Sequence, residues 1–417
     1  MTLAVTGASL DGELVGLRCE DGAIAALGPG VGPQPGDEAI DARGGALLAP
    51  LLNGHTHAAM TLFRGSGGDL PLMPWLEERI WPIEAKLEAD DVYWGTRLAC
   101  AEMTRTGTTR FWDMYWQPQA TARAVADAGL RAAIGAPLFD HDGDGERMRR
   151  SALASLDQLS ELGPGISPAL APHSIYMVGE ESLRWIAELG AEREVPVHIH
   201  LSETENEVQD CLARHGLRPA FYLDRLGMLN ERAVLAHGVW LDPDELALIA
   251  ERGATVVTNP VANMKLAVGG VFPYPAARSA GVAVGLGTDG AGSNDSLDLM
   301  ADLKAFALAQ KHAAGDPTAV RAAEAWEIAT GRRAPLLGAG AGLEVGAAAD
   351  FLLMRPDLPE LAIGDLGSNL VYAASGSAVE TTVVGGRALM RDGEVPEIDE
   401  IVARAAERAR RLGLQLE

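Results

Sequence analysis

The sequence predicts an α/β protein, a (β/α)8 TIM barrel carrying a small discontinuous β-sandwich domain built from both chain ends. Three observations predict it. Eight short apolar runs alternate with stretches of helical apolar spacing through the middle of the chain, the pattern of a closed parallel barrel. Histidines and acids fall at the carboxyl ends of those runs, on the face where such barrels carry their chemistry. Residues 1–49 and 346–417 read instead as short strands and turns, so they are expected to form the second unit beside a catalytic barrel at 50–345.

From the N-terminus, 3–5, 14–19 and 23–27 are β-like stretches separated by Asp-Gly and Gly-Pro turns. Barrel strands follow at 46–57, 107–114, 131–139, 165–174, 195–203, 233–241, 254–260 and 282–290, each an apolar run of strand-like length. Between them, 90–105, 180–193, 243–252 and 297–312 repeat apolar residues at helical intervals. Strands return at 350–354, 378–384 and 386–389, and a helix begins near Asp399.

At 417 residues and 47% hydrophobic, the chain has ample material for such a core. Its 58 acidic against 34 basic residues give a net charge of −24, which repels nucleic acid and anionic membranes, so neither is expected as a partner. The basic residues are 30 arginines and four lysines, read as genomic composition bias. Cys19, Cys100 and Cys211 are far apart, odd in number and form no C-x-x-C pair. Neither a disulfide framework nor a cysteine zinc site is implied, and a cytoplasmic setting is expected. With no leader pattern and no apolar run of about 18 residues, the chain reads as soluble. A homo-oligomer is compatible with this composition but not specified by it.

In a strand, side chains alternate, so His55 and His57 point to one face and can share an ion at the end of the first barrel strand. His200 closes the fifth strand and Asp289 the eighth. Three nitrogens and one carboxylate oxygen leave a coordination position for water, which describes a catalytic ion and not a structural one. One such histidine alone would read as a packed core residue; a set spread over several strand ends does not. None of the four lysines (Lys86, Lys265, Lys304, Lys311) ends the fourth strand, which closes in Pro172-His173. A single ion is therefore expected, Zn²⁺ first, with Fe²⁺ or Mn²⁺ compatible with the mixed donors.

Bound Zn²⁺ lowers the pKa of water from about 15.7 to about 7, which provides a nucleophile at neutral pH. Glu203, three residues past His200, is expected as the acid/base that protonates a ring nitrogen. The competing reading is a solvated loop glutamate. His237 ends the sixth strand and is read as orienting the water in preference to ligating, with Asp289 accepting the proton. His198 shares a face with His200 but lies one layer deeper and reads as a hydrogen-bonded core residue. His141, His215 and His312 carry no signal.

Several motifs then combine: Asn53-Gly54-His55-Thr56-His57, Phe63-Arg64-Gly65, Asp69-Leu70-Pro71-Leu72-Met73, Ile80-Trp81-Pro82-Ile83-Glu84, Ala171-Pro172-His173-Ser174, His200-Leu201-Ser202-Glu203-Thr204, Asn263-Met264-Lys265-Leu266 and Gly287-Thr288-Asp289-Gly290 followed by Ser293-Asn294. Over nearly its whole length the chain resembles the amidohydrolase superfamily, and within it the 5′-methylthioadenosine/S-adenosylhomocysteine deaminases and their s-triazine hydrolase cousins. The resemblance implies that His55, His57, His200 and Asp289 hold the metal, and that Glu203 and His237 serve hydroxide attack and proton transfer. It also implies that Glu84 bonds ribose hydroxyls and that His173 contacts the nucleoside. Ser293 is grouped with these substrate contacts. Trp75 and Trp81, in the loop after the first barrel strand, are candidates to wall the pocket, against simple packing.

Arg147 matches an arginine that meets the anionic amino-acid end of S-adenosylhomocysteine in relatives. Its usual companion is missing, since Ala136 or Pro137 stands there. Losing one bidentate carboxylate partner would cost about 1.5 to 3 kcal/mol of binding. Leu51 replaces a usual glycine, and Thr258 a usual histidine.

The expected reaction is hydrolytic deamination at C6 of an adenine nucleoside with a modified 5′ group, giving ammonia and the inosine analogue. Candidates are 5′-methylthioadenosine, 5′-deoxyadenosine, adenosine, S-adenosylhomocysteine and 6-aminodeoxyfutalosine. The alternative keeps the metal but acts on a non-nucleoside ring, such as an s-triazine, guanine or a pterin, for which Glu84 would have no purpose. An inactive scaffold is the third reading, opposed by retention of the whole ligand set. The zinc deaminases with H-x-E and P-C-x-x-C are excluded by the lack of any cysteine pair.

Overall fold

The computed structural model describes residues 2–66, 69–140, 143–340, 342–355 and 357–414. At the N-terminus, β1 (Thr2–Leu10), β2 (Glu13–Glu20) and β3 (Ala23–Gly28) form an antiparallel meander. Asp11-Gly12 and Asp21-Gly22 both take positive φ, which turns the chain within two residues. A fourth strand, β4 (Glu38–Asp41), runs parallel to β1 and has no counterpart in the sequence reading. Four residues with one buried carry too little alternation to be seen.

The run 46–57 divides at Pro50, which has no N–H to carry a ladder through. β5 (Leu47–Leu48) joins another sheet, and β6 (Leu51–Thr56) opens the barrel. Around the barrel follow β7 (Thr108–Met114), β8 (Arg131–Leu138), β9 (Ile166–Pro172), β10 (Val197–Leu201), β11 (Ala233–His237), β12 (Thr255–Thr258) and β13 (Ala283–Leu286). These eight strands are parallel and lie in sequence order, as expected. The two ends meet where His55 O accepts from Thr288 N (3.2 Å) and Asp289 N (3.0 Å). Asn53 secures the seam, since its amide donates to Thr288 Oγ1 at 2.7 Å and accepts from Thr288 N at 3.1 Å.

β10, β11 and β13 stop two to four residues earlier than their apolar runs suggest. Ser202, His237 and Asp289 take left-handed φ values of 50°, 73° and 61°, which ends the extended chain at or beyond β10, β11 and β13. For non-glycine residues this conformation is costly and concentrates at functional sites. The segment after β6, expected as a loop, contains short helices at Leu72–Trp75 and Trp81–Glu84 joined by one wide helical turn.

β14 (Phe351–Met354), β15 (Val379–Val384) and β16 (Arg387–Met390) complete a four-stranded sheet with β5. Its Leu47, Phe351, Leu353 and Val383 share one core with Leu3, Val5 and Leu17 of the first sheet, so strands from both chain ends face each other. Not all of 346–417 stays there. Helix Ile398–Arg411 packs on helix Ala89–Arg105 of the barrel, with Arg411 paired to Asp91 and Arg97 to Glu397 (2.9 Å). Among the described residues no helix is long and apolar enough to cross a membrane.

Candidate active site

The carboxyl ends of β6, β10, β11 and β13 bring His55, His57, His200, His237 and Asp289 together. Donor atoms of His55, His57 and His200 lie within 4.8 Å of one another, as do those of His55, His237 and Asp289. His57 Nε2 is 3.2 Å from Asp289 Oδ1 and 3.4 Å from His200 Nε2, and His55 Nε2 is 3.4 Å from Asp289 Oδ1.

Each ring is oriented from behind. His57 Nδ1 meets Met114 O at 2.5 Å, His200 Nδ1 meets His173 O at 2.7 Å and His237 Nδ1 meets Asn263 Oδ1 at 2.8 Å. A carbonyl only accepts, so Nδ1 carries the proton in the first two, and in His237 if the Asn263 oxygen is the facing atom. The Nε2 lone pairs are then left facing inward, as metal ligands require. His55 Nδ1 contacts His198 Nε2 at 2.9 Å, while His55 Nε2 is fully buried without a hydrogen-bond partner. Convergent Nε2 atoms, one orphaned, beside a carboxylate fit a divalent ion. His237 belongs to this donor cluster, together with His55 and Asp289. His198 is the expected buried, hydrogen-bonded histidine, acting through His55.

Burial would raise the Asp289 carboxyl, but His55 and His57 hold it well below the usual range. Its Oδ2 accepts from Ser293 Oγ at 2.6 Å. Glu203 is buried, with Oε1 3.8 Å from His237 Nδ1, and burial raises its carboxyl above the ordinary value. Glu84 is raised by the same cause, with Tyr115 and the His57 charge opposing. Burial, then His57 and His55, push the His173 imidazole down to about 3.

Above the cluster lies a cavity bounded by Trp75, Trp81, Glu84, Phe139, His173 and Tyr176, with Ser293 and Glu203 also on its wall. Trp116 stacks on Phe139 at 4.5 Å and 21°, and Phe139 leans on His173 at 4.9 Å. The cavity continues through Trp81, Glu84 and Trp116 into an outer groove of about 1240 Å³.

Arg147 is not brought there. It sits at the exposed start of helix Gly145–Ser160, pairs with Asp144 at 2.6 Å and lines neither space. His141 lies outside the described residues.

Sequence reasoning passed over three residues. Asn263, though inside a quoted motif, had no role until its contact with His237 was visible. Phe139 closed a strand as an ordinary apolar residue. Glu207 was signalled, since Thr204-Glu205-Asn206-Glu207 has capping-box spacing, but its side chain does something further: Oε1 and Oε2 accept from Ser202 N and Glu203 N, both at 2.9 Å.

Known proteins resemble this chain over most of its length. A 5′-deoxyadenosine deaminase from Methanoregula boonei is 48% identical over 379 residues, covering 89% of this chain and 86% of that protein. A 5-methylthioadenosine/S-adenosylhomocysteine deaminase from Halobacterium salinarum is 44% identical, covering 92% of this chain and 90% of its own. Among solved structures, an adenosine deaminase from Xanthomonas campestris with bound zinc has a TM-score of 0.92 and 34% identity, covering 99% of both chains. The resemblance drawn from the motifs therefore holds. A description of the amidohydrolase family matches residues 46–389, spanning the whole barrel and its donor cluster, and the chain belongs to that family.

Proposed function

We infer that this chain is a zinc-dependent hydrolase that removes the 6-amino group of adenine nucleosides, consuming water and releasing ammonia and the inosine analogue. The observation that carries it is the buried carboxyl of Glu203 beside His237, on the wall of a cavity whose floor is the histidine and aspartate cluster. Relatives named for this reaction at 48% and 44% identity support it.

His55, His57, His200 and Asp289 would hold one ion, which when bound supplies Lewis-acid activation of water at neutral pH. The raised pKa of Glu203 keeps its carboxyl protonated to higher pH, as donation to purine N1 requires. His237, its Nδ1 engaged by Asn263, presents Nε2 to the attacking oxygen. Asp289 takes the proton from that oxygen and passes it to the amino nitrogen, so that the C6–N bond breaks with ammonia as the leaving group, while Ser293 steadies its other carboxylate atom. His173 stays neutral and offers a hydrogen bond and a ring face to the base. Glu84 accepts from ribose hydroxyls, which favours a nucleoside over a bare ring. The buried, unpaired Cys19, Cys100 and Cys211 support a reducing, cytoplasmic setting.

With C6 at the cluster, the opposite end of a nucleoside points outward. The groove there carries Trp81, Trp116 and Trp240 with Glu77, Glu205 and Asp210, against one arginine, Arg214. Such a wall favours an uncharged 5′ group, as in 5′-deoxyadenosine, 5′-methylthioadenosine and adenosine, over the carboxylates of S-adenosylhomocysteine and 6-aminodeoxyfutalosine.

Ammonia release by the zinc-loaded protein across these five nucleosides tests the reading, with guanine and an aminotriazine as controls. Turnover of nucleosides with neutral 5′ groups fastest is expected. Turnover confined to the controls would overturn the nucleoside assignment.

A further inference from the structure

We propose that Glu207 is a positioning residue for catalysis, fixing the proton donor Glu203 by gripping the backbone on which it stands. The inference rests on Glu203 as the acid/base. Among the described residues no hydrogen bond holds the Glu203 carboxyl itself; His237 Nδ1 stands 3.8 Å from its Oε1, beyond hydrogen-bond reach. Its direction must then come from its backbone. That backbone leaves β10 through Ser202 at φ 50°, a conformation that side-chain-bearing residues keep only when held. Glu207 does the holding, with one carboxylate oxygen on Ser202 N and the other on Glu203 N, both 2.9 Å.

Ordinary helix capping does not account for this. In a capping box the glutamate reaches the N–H of the cap residue, here Thr204. Thr204 does cap helix Glu205–His215, accepting from Glu207 N at 3.2 Å. The Glu207 carboxylate passes Thr204 by and engages the two residues before it. Glu207 is buried and forms no ion pair among the described residues, an unfavourable placement for a carboxylate whose only task is to start a helix.

Gln at 207 keeps one acceptor and sets an NH₂ against the second N–H. Three variants test the proposal in the zinc-loaded protein with 5′-deoxyadenosine: E203Q, E207Q and the double variant. E207Q is expected to lower kcat by about 10-fold or more, with KM within about 2-fold and zinc content unchanged. In the E203Q background the same change is expected to alter the residual rate by less than about 2-fold, because Glu207 acts through Glu203. Equal losses in both backgrounds, or a kcat within about 2-fold of wild type, would overturn it. Near-normal turnover by E203Q would instead remove Glu203 from the mechanism, and the proposal with it. Should E207Q fail to fold, E207D keeps both acceptors one methylene short, and its loss must likewise vanish in the E203Q background.

Discussion

At the scale of single residues, the site is built from side chains whose working atom is decided by what touches the other end. His57 and His200 are fixed through Nδ1 by backbone carbonyls, which no substitution removes. His237 differs, since its Nδ1 partner is the side chain of Asn263 at 2.8 Å. With the Asn263 oxygen facing the ring, that contact places the proton on Nδ1 and fixes the ring plane of a residue held at φ 73°. Asn263→Leu preserves volume while removing the acceptor, so His237 can place its proton on Nε2, facing the cavity. Loss of such an outer partner lowers activity by about 10- to 100-fold. The expected result is that fall in kcat with the fold intact by circular dichroism; an unchanged kcat would show that His237 needs no orienter.

At the scale of elements, the strands were legible and the pocket wall was not, for one physical reason. Parallel strands covered on both faces read as continuous apolar runs, and His55, His200 and His237 interrupt those runs visibly. Residues that form a cavity wall obey no period. Trp75, Trp81 and Glu84 lie on two short helices and a wide turn too brief to show helical spacing. The ends of β10, β11 and β13 were overrun because a left-handed Ser, His or Asp leaves no mark in composition. Helix Gly145–Ser160, which the sequence reading did not mark, shows what motif matching misses: the match picks out Arg147 by its place in the chain, yet the helix turns that residue to solvent beside Asp144. Arg147→Ala is therefore expected to leave the ratio of rates for S-adenosylhomocysteine and 5′-methylthioadenosine within about 2-fold, since an exposed pair contributes little. A selective loss with S-adenosylhomocysteine would mean that the helix start moves onto the groove when substrate binds.

At the scale of the whole molecule, the barrel and the two terminal sheets are joined by buried apolar contact and by a few directed polar contacts. The chief of these is Asp350, at the start of β14. It accepts from Arg131 Nε at 2.8 Å and Arg131 Nη2 at 3.1 Å on β8, and from Gly385 N at 2.6 Å in the turn between β15 and β16. Thr382 Oγ1 adds a bond to Thr104 O at 2.8 Å on a barrel helix. Both members of the ion pair are largely shielded, with side-chain exposures of 26% and 16%. Asp350→Ala would leave a guanidinium and an N–H without an acceptor, which costs about 2 to 4 kcal/mol. In a chain this large, that corresponds to a melting temperature lower by a few degrees, about 2 to 6 °C. Arg131 begins β8 at the amino-terminal face of the barrel, whereas the donor cluster lies at the carboxyl ends, so kcat is expected to stay within about 2-fold. Thermal melting and ammonia release measured on one preparation separate these effects. A fall in kcat matching the loss of stability would mean that the terminal sheets help to set the barrel's closing seam at His55 and Asp289.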